Sequence, residues 1–332
     1  MAMSSKPTEP ADVGRQEGRV PDFFIVGHHK SGTTAMYEML RRHPQIYMPD
    51  MKEPEFFGRS HSGRPEVPPE SKRRPQTFGE SRPQTYAEYL SLFDAARPEQ
   101  RAGEASPSYL RSLTAASLIA EVQPAARIIA ILREPASFLQ SFHLQMVRNH
   151  VQTEWDLRKA IASEGVAREG NRVHHYTDRV RYVEQLRRYH DAFSSDQVLV
   201  LIYDDFRADN EAAVRTVLRF LDVDASARIE PVDANPTIAP RSRHLDAWAL
   251  ALRSGRGPVS RGVKATFKAL TPDRVHRNVV RAVNRNVVHG SAPPPDESLM
   301  IELRRRFKPE VVALSEYLNR DLVSLWGYDK IT

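Results

Sequence analysis

The sequence predicts an α/β protein: a P-loop-like parallel sheet flanked by helices, followed by a basic helical C-terminal extension. Three apolar runs carry this expectation: FFIV (23–26), RIIAILR (127–133) and QVLVLIYDDF (197–206). They are continuous rather than alternating, as expected of strands covered on both faces. Each is followed by a stretch with helical spacing, and that alternation fits right-handed crossovers in a mostly parallel sheet.

Taken in order, residues 1–20 are polar and read as a leader without fixed structure. TTAMYEMLRRHP (33–44) is a helix stopped by proline. Residues 58–83 are rich in Pro, Arg, Ser and Gly, have no apolar period, and read as a long surface loop. TYAEYLSLF (85–93) resumes a helix, GEASPSYL (103–110) reads as a turn, and ASLIAEV (116–122) is a helix ended by Pro124. Helical spacing returns in 137–150, 176–193 and 211–223, and the last third reads as helical and basic. No internal repeat or linker is visible, so residues 21–332 are expected to form one domain, with 241–290 a basic helical region placed to act as a lid.

The chain has 332 residues, 40% of them hydrophobic, which suffices for a large core. It contains no run of eighteen apolar residues and no apolar segment near its start, so a cytoplasmic protein is the expectation. It has no cysteine, which excludes disulfides and thiolate metal sites. The adjacent pairs His28–His29 and His174–His175 have no third ligand at a usable interval, so no metal is expected. Net charge is +6, yet residues 241–285 alone carry eleven Lys or Arg against Asp246 and Asp273, a local +9. Such a segment suits an anionic ligand, an anionic substrate or a membrane surface, and equally a solvated helical face.

Ligands of parallel sheets bind beyond the carboxyl ends of the strands, and three segments fall there. GHHKSGTT (27–34) follows the first strand with small residues, three hydroxyls (Ser31, Thr33, Thr34) and one lysine, Lys30. A helix N-terminus behind such a turn aims amides and a positive dipole at an anion. Gly27 and Gly32 have Walker A spacing, but Thr33 stands where that motif has its lysine. MKEPEFF (51–57) places Glu53 and Glu55 around Pro54 beside aromatics, as a general base requires and as a surface turn also allows. ILREPASFLQSF (131–142) puts Arg133 at a strand end and Ser141 eight residues on, a pair suited to a second phosphate. An Arg133–Glu134 surface pair would fit the same residues.

In this order the segments resemble the PAPS-dependent sulfotransferases (PAPS is 3′-phosphoadenosine 5′-phosphosulfate), of the bacterial type related to the heparan sulfate sulfotransferase branch. HKSGTT resembles that family's 5′-phosphosulfate loop, LREPASFLQSF its 3′-phosphate motif and KEPEFF its acidic segment. GEASPSYL resembles a segment near the acceptor, and LIYDDF the strand whose tyrosine lies near the adenine. The resemblance implies that Lys30 binds the 5′-phosphate and the bridging oxygen, with His29, Ser31, Gly32, Thr33 and Thr34 around the same phosphate. It implies that Arg133 and Ser141 hold the 3′-phosphate, that Tyr203 lies by the adenine, and that Glu53 deprotonates the acceptor hydroxyl. No metal is implied, and the donor would leave as 3′-phosphoadenosine 5′-phosphate (PAP). The implied acceptor is a small metabolite, a glycan or a glycolipid, without nucleic acid and with room for peripheral contact with an anionic membrane.

The chain departs from that branch on the acceptor side. A histidine usual two residues after the glutamate is Glu55 here, and a lysine usual before Ser-Pro is Ala105. Two other functions compete. A kinase with an altered phosphate loop would draw on Asp204 and Asp205 for Mg²⁺, and a non-enzymatic module would use 241–285 on an anionic surface. Nucleotide binding with and without Mg²⁺ separates the first; salt-sensitive vesicle or duplex binding identifies the second.

Overall fold

The structure is a computed structural model that describes residues 18–58, 82–164, 176–230, 232, 238–240, 289–291 and 294–331. Most of the expected leader 1–20, most of the 58–83 loop and nearly all of the 241–290 lid region lie outside these residues. Among the described residues no helix is long and apolar enough to cross a membrane.

The sheet is built from β1 (Phe23–Ile25), β2 (Ile46–Tyr47), β3 (Arg101–Ala105), β4 (Arg127–Leu132) and β5 (Val198–Ile202). All pairings are parallel, in the order β2-β3-β1-β4-β5. The chain steps out from β1 to β2 and back to β3 on one side, then to β4 and β5 on the other. That reversal leaves a crevice at the carboxyl end of β1, where ligands of such sheets bind.

β1, β5 and β4 beyond Arg127 are apolar throughout because both faces are covered. Ile128, Ala130 and Leu132 of β4 enter one core, and Ile129 and Ile131 enter the other. The second core is closed by α1 (Thr33–Arg41) and α8 (Asn210–Phe220), through Met36, Leu40, Val214 and Leu218. The first is closed by α3 (Ala115–Val122), α4 (Pro135–Arg148), α6 (Tyr182–Ala192) and the long α9 (Glu297–Tyr317). Smaller helices complete the body: α2 (Tyr86–Ser91), α5 (Leu157–Ala162), α7 (Tyr203–Ala208) and α10 (Leu322–Leu325). A separate antiparallel pair joins β6 (Ile238–Pro240) to β7 (His289–Ser291).

The structure corrects the sequence expectations at four places. β2 and β3 go beyond the three strands that the apolar runs predict. β3 reads RAGEA, with no β-branched or aromatic residue, and exists because it packs without a side chain at Gly103. A Cβ there would sit 2.2 Å from the Phe23 ring. GEASPSYL is therefore the end of a strand and a 3₁₀ turn (Pro107–Tyr109), not a turn alone. QVLVLIYDDF is strand only to Ile202; Tyr203 begins α7. The helix expected over 176–193 starts only at Tyr182, since Thr177–Val180 is a 3₁₀ turn and Arg181 (φ −78, ψ 66) breaks the run.

Candidate functional site

The loop 26–32 leaves β1 and enters α1. His28 N–H donates to the Ile131 carbonyl at 3.1 Å, and Ser31 N–H to the His28 carbonyl at 3.3 Å, so the loop curls beside β4. Gly32 caps α1 in the left-handed conformation (φ 85), and a Cβ there would meet the Phe206 ring at 2.7 Å. No side chain caps α1, whereas Glu134 accepts from the amides of Ala136 and Ser137 at the start of α4. Ser31 is fully buried, and its hydroxyl has no hydrogen-bond partner among the described residues. Leaving such a group unpaired costs about 1–3 kcal/mol. Uncapped amides beside an unpaired hydroxyl form a cradle that an oxyanion would satisfy.

Lys30 stands in the left-handed region (φ 64), costly for a residue with a Cβ and common at functional turns. Burial, reinforced by the charges of Arg148 and Arg133, pulls its ammonium down to about 8. Arg133, the first residue past β4, donates from Nη1 to the Lys30 carbonyl at 2.8 Å. Its guanidinium lies 4.8 Å from the Tyr203 ring centroid, and Tyr182 donates to its carbonyl at 2.8 Å. Burial lowers the pKa of Arg133 too, against the nearby Tyr203 and Asp204. Glu134 is not a surface partner of Arg133. It is 5% exposed, caps α4, and accepts from the Tyr328 hydroxyl at 2.6 Å.

Ser141 is buried on α4, six residues past Pro135, which is about 9 Å along the axis. Thr33 is buried and Thr34 exposed on the first turn of α1. Arg148 ends α4 seven residues beyond Ser141, two turns on and on one face, and that spacing was a usable sequence signal. Asp204 accepts from Trp326 Nε1 at 2.9 Å, and Asp205 forms a two-point pair with Arg320 at 2.6 and 2.8 Å.

The acidic segment comes to the same place from β2. Glu53 N–H donates to the Ala105 carbonyl at 3.1 Å, and Glu53 and Glu55 both adopt left-handed backbones (φ 61 and 52). Lys52 Nζ pairs with Glu53 at 2.6 Å, and Arg82 pairs with Glu55. Burial pushes the Glu53 carboxyl up, but Lys52, His29 and Arg82 outweigh it and hold it below its usual value. Burial lowers half-buried His29, partly offset by Glu53 and Glu55. The structure therefore brings His29, Glu53 and Glu55 into one electrostatic neighbourhood.

His28 points the other way. It is 4% exposed, with Phe138 and Tyr182 rings at 4.6 and 4.8 Å, and burial beside Arg179 lowers its pKa to about 3. Arg179, which sequence analysis did not single out, lies over Phe142 at 4.1 Å and is brought to about 9 by burial and Arg111.

A parallel sheet whose loop after β1, strand-end arginine and acidic segment come together at one end defines an α/β protein with groups suited to an anionic ligand there. The chain belongs to the sulfotransferase family, whose family model matches residues 21–227. It is similar to mouse Carbohydrate sulfotransferase 15, 25% identical over 301 residues that cover 72% of this chain and 52% of that one. It is also similar to Membrane-associated sulfotransferase kil1 of Dictyostelium discoideum, 25% identical over 128 residues, 38% of this chain and 23% of that one. The chain thus spans about half the length, or less, of these relatives. A sulfotransferase from Alicyclobacillus acidocaldarius shares the fold, with a TM-score of 0.62 at 24% identity over 92% of this chain and 98% of that one.

Proposed function

We propose that the protein transfers a sulfuryl group from PAPS to a hydroxyl of a small metabolite, glycan or glycolipid. The observation that carries this reading is the start of α1. There, uncapped amides, the buried unpaired Ser31 hydroxyl and Lys30 belong to one short loop, and Arg133 is tied to it through the Lys30 carbonyl. Those groups match the donor's 5′-phosphate. Arg133, over the Tyr203 ring, matches a second phosphate beside an adenine, and Ser141, buried on α4, is the hydroxyl assigned to the same phosphate.

In this reading Glu53 takes the proton of the acceptor hydroxyl as its oxygen attacks sulfur in line. The new O–S bond forms while the bond from sulfur to the bridging phosphate oxygen breaks, and that electron pair stays on the leaving PAP. Lys30 holds the charge that develops there, and Glu53 is kept ionised at neutral pH by Lys52 and Arg82. Chemistry of this kind depends mainly on positioning and on charge stabilisation. The kinase alternative draws less support, since Asp204 and Asp205 are already engaged by Trp326 and Arg320.

Calorimetric titration with PAP and with ATP, each with and without Mg²⁺, tests the donor. PAP binding at micromolar or tighter affinity without Mg²⁺ supports the reading, and Mg²⁺-dependent ATP binding without PAP binding overturns it. Labelled PAPS incubated with cell extracts then identifies the acceptor.

A further inference from the structure

A second acid lies behind the segment that carries Glu53, and the proposed chemistry does not use it. Glu104 on β3 is fully buried, with Phe57, Tyr89 and Tyr109 in the core on its side of the sheet. Ser106 Oγ donates to its Oε2 at 3.3 Å, and the hydroxyls of Tyr109 and Tyr89 stand against the same carboxyl. Ser106 and Tyr109 each serve the acidic segment as well. Glu55 N–H donates to Ser106 Oγ at 3.2 Å, and Phe57 N–H to the Tyr109 hydroxyl at 3.1 Å.

A hydroxyl has one proton to give and lone pairs to receive with. Where Glu104 takes the proton, the lone pairs are turned toward the backbone of the segment. Glu104 fixes which way the Ser106 hydroxyl faces, and its carboxyl, beside the Tyr109 hydroxyl, is placed to do the same there. The segment needs such anchors, because Glu53 and Glu55 both occupy the left-handed region, at a cost of about 1–3 kcal/mol each.

We infer that Glu104 is a positioning residue for the Glu53 segment, acting through the hydroxyls of Ser106 and Tyr109 on the amides of Glu55 and Phe57. Its bearing on catalysis rests on the reading of Glu53 as the base. The titratable groups facing Glu104 are Tyr89 from α2, Tyr109 after β3, Tyr189 from α6 and Glu55 from the segment itself. Burial pushes its carboxyl up to about 8, against the pull of the nearby Tyr109, Tyr89 and Ser106 hydroxyls. At neutral pH it is mostly the neutral acid, which glutamine mimics in shape and in accepting power.

Amide hydrogen exchange on the full chain, read by NMR, tests this without knowledge of the acceptor. In Glu104→Leu, exchange at Glu55 and Phe57 should rise at least tenfold. The Val26 amide, bonded to the Ile129 carbonyl at 2.8 Å, should be unchanged. Glu104→Gln should stay within threefold of wild type at all three. Tyr109→Phe should loosen Phe57 and not Glu55, and Ser106→Ala the reverse; these carry the test if Glu104→Leu does not fold. The inference is overturned if Glu104→Leu leaves both amides at wild-type rates, if Glu104→Gln loosens them as much, or if neither hydroxyl deletion moves its own amide. PAP titration of the same variants should give affinities within threefold of wild type. A wild-type protein that binds no PAP sinks the donor reading and leaves the exchange result to decide Glu104.

Discussion

The Arg133 guanidinium donates to the carbonyl of Lys30 at 2.8 Å, joining two cations that lie 103 residues apart in the chain. The bond ties the end of β4 to the left-handed residue that turns the loop into α1. It also brings a second cation near Lys30, and after burial and Arg148 that charge lowers the proton affinity of the Lys30 ammonium. Such an arrangement is unfavourable by itself and becomes favourable once an anion lies between the cations.

Arg133→Ala should therefore discriminate between nucleotides. The loss of a charged hydrogen bond, about 1.5–3 kcal/mol, corresponds to roughly 10–100-fold weaker PAP binding. Adenosine 5′-monophosphate, which lacks the 3′-phosphate, should lose clearly less. Calorimetric titration of both ligands checks this, and equal losses would remove Arg133 from the 3′-phosphate site.

In the proposed reading, Lys30 sets a pH limit on donor binding. Its pKa is depressed to about 8, so the free protein loses this charge as pH rises through that value. PAP affinity should fall between pH 7 and pH 9, and Lys30→Ala should bind weakly with a flatter profile over that range. An identical slope in the variant would assign the pH dependence to another group.

For Glu53→Gln we expect donor binding to survive and transfer to fail. General-base catalysis contributes about 10²–10⁴-fold, so turnover of labelled PAPS should drop at least 100-fold with PAP affinity within threefold of wild type. Because the Glu53 carboxyl is held below its usual 4.5, the acid limb of wild-type activity should lie below that pH. Near-normal turnover in Glu53→Gln would move the base to Glu55 or His29.

His28 bears on stability. Its folded-state pKa is lowered from 6.5 to about 3, chiefly by burial. The unfolded chain takes up a proton below pH 6.5 that the folded chain refuses. Stability is thus complete above that value and falls as pH drops toward 3, by roughly 1.4 kcal/mol per pH unit. His28→Phe keeps a ring between Phe138 and Tyr182 and should flatten this decline, as measured by denaturant unfolding at pH 7, 5.5 and 4.5. A decline as steep as that of wild type would locate the acid sensitivity elsewhere.

Much of this was legible because it is local. The β1, β4 and β5 strands announced themselves as apolar runs, and Lys30, Glu53 and Arg133 stood out by following an apolar run or sitting among aromatics. Ser141 and Tyr203 fell on α4 and at the first residue of α7, directly beyond β5. β3 was not legible. A strand that reads RAGEA is held by what lies beside it, and the reason for its glycine is a phenyl ring eighty residues earlier.

The two histidines show the division most clearly. By itself the sequence determined the fold class, the phosphate-type loop and the chemistry on offer there, since these depend on residue type and on spacing along one strand and the next helix. It could not separate His28 from His29. Only the tertiary structure buried the first between two aromatic rings and set the second by the two glutamates, because neighbours on α4, α6 and the β2–α2 segment decide what each imidazole meets. The same holds for Glu104. Its sequence neighbours are small residues, but folding closes tyrosines from α2, from the turn after β3 and from α6 around one carboxyl. Burial and partner geometry are products of packing, and no short stretch of chain encodes them.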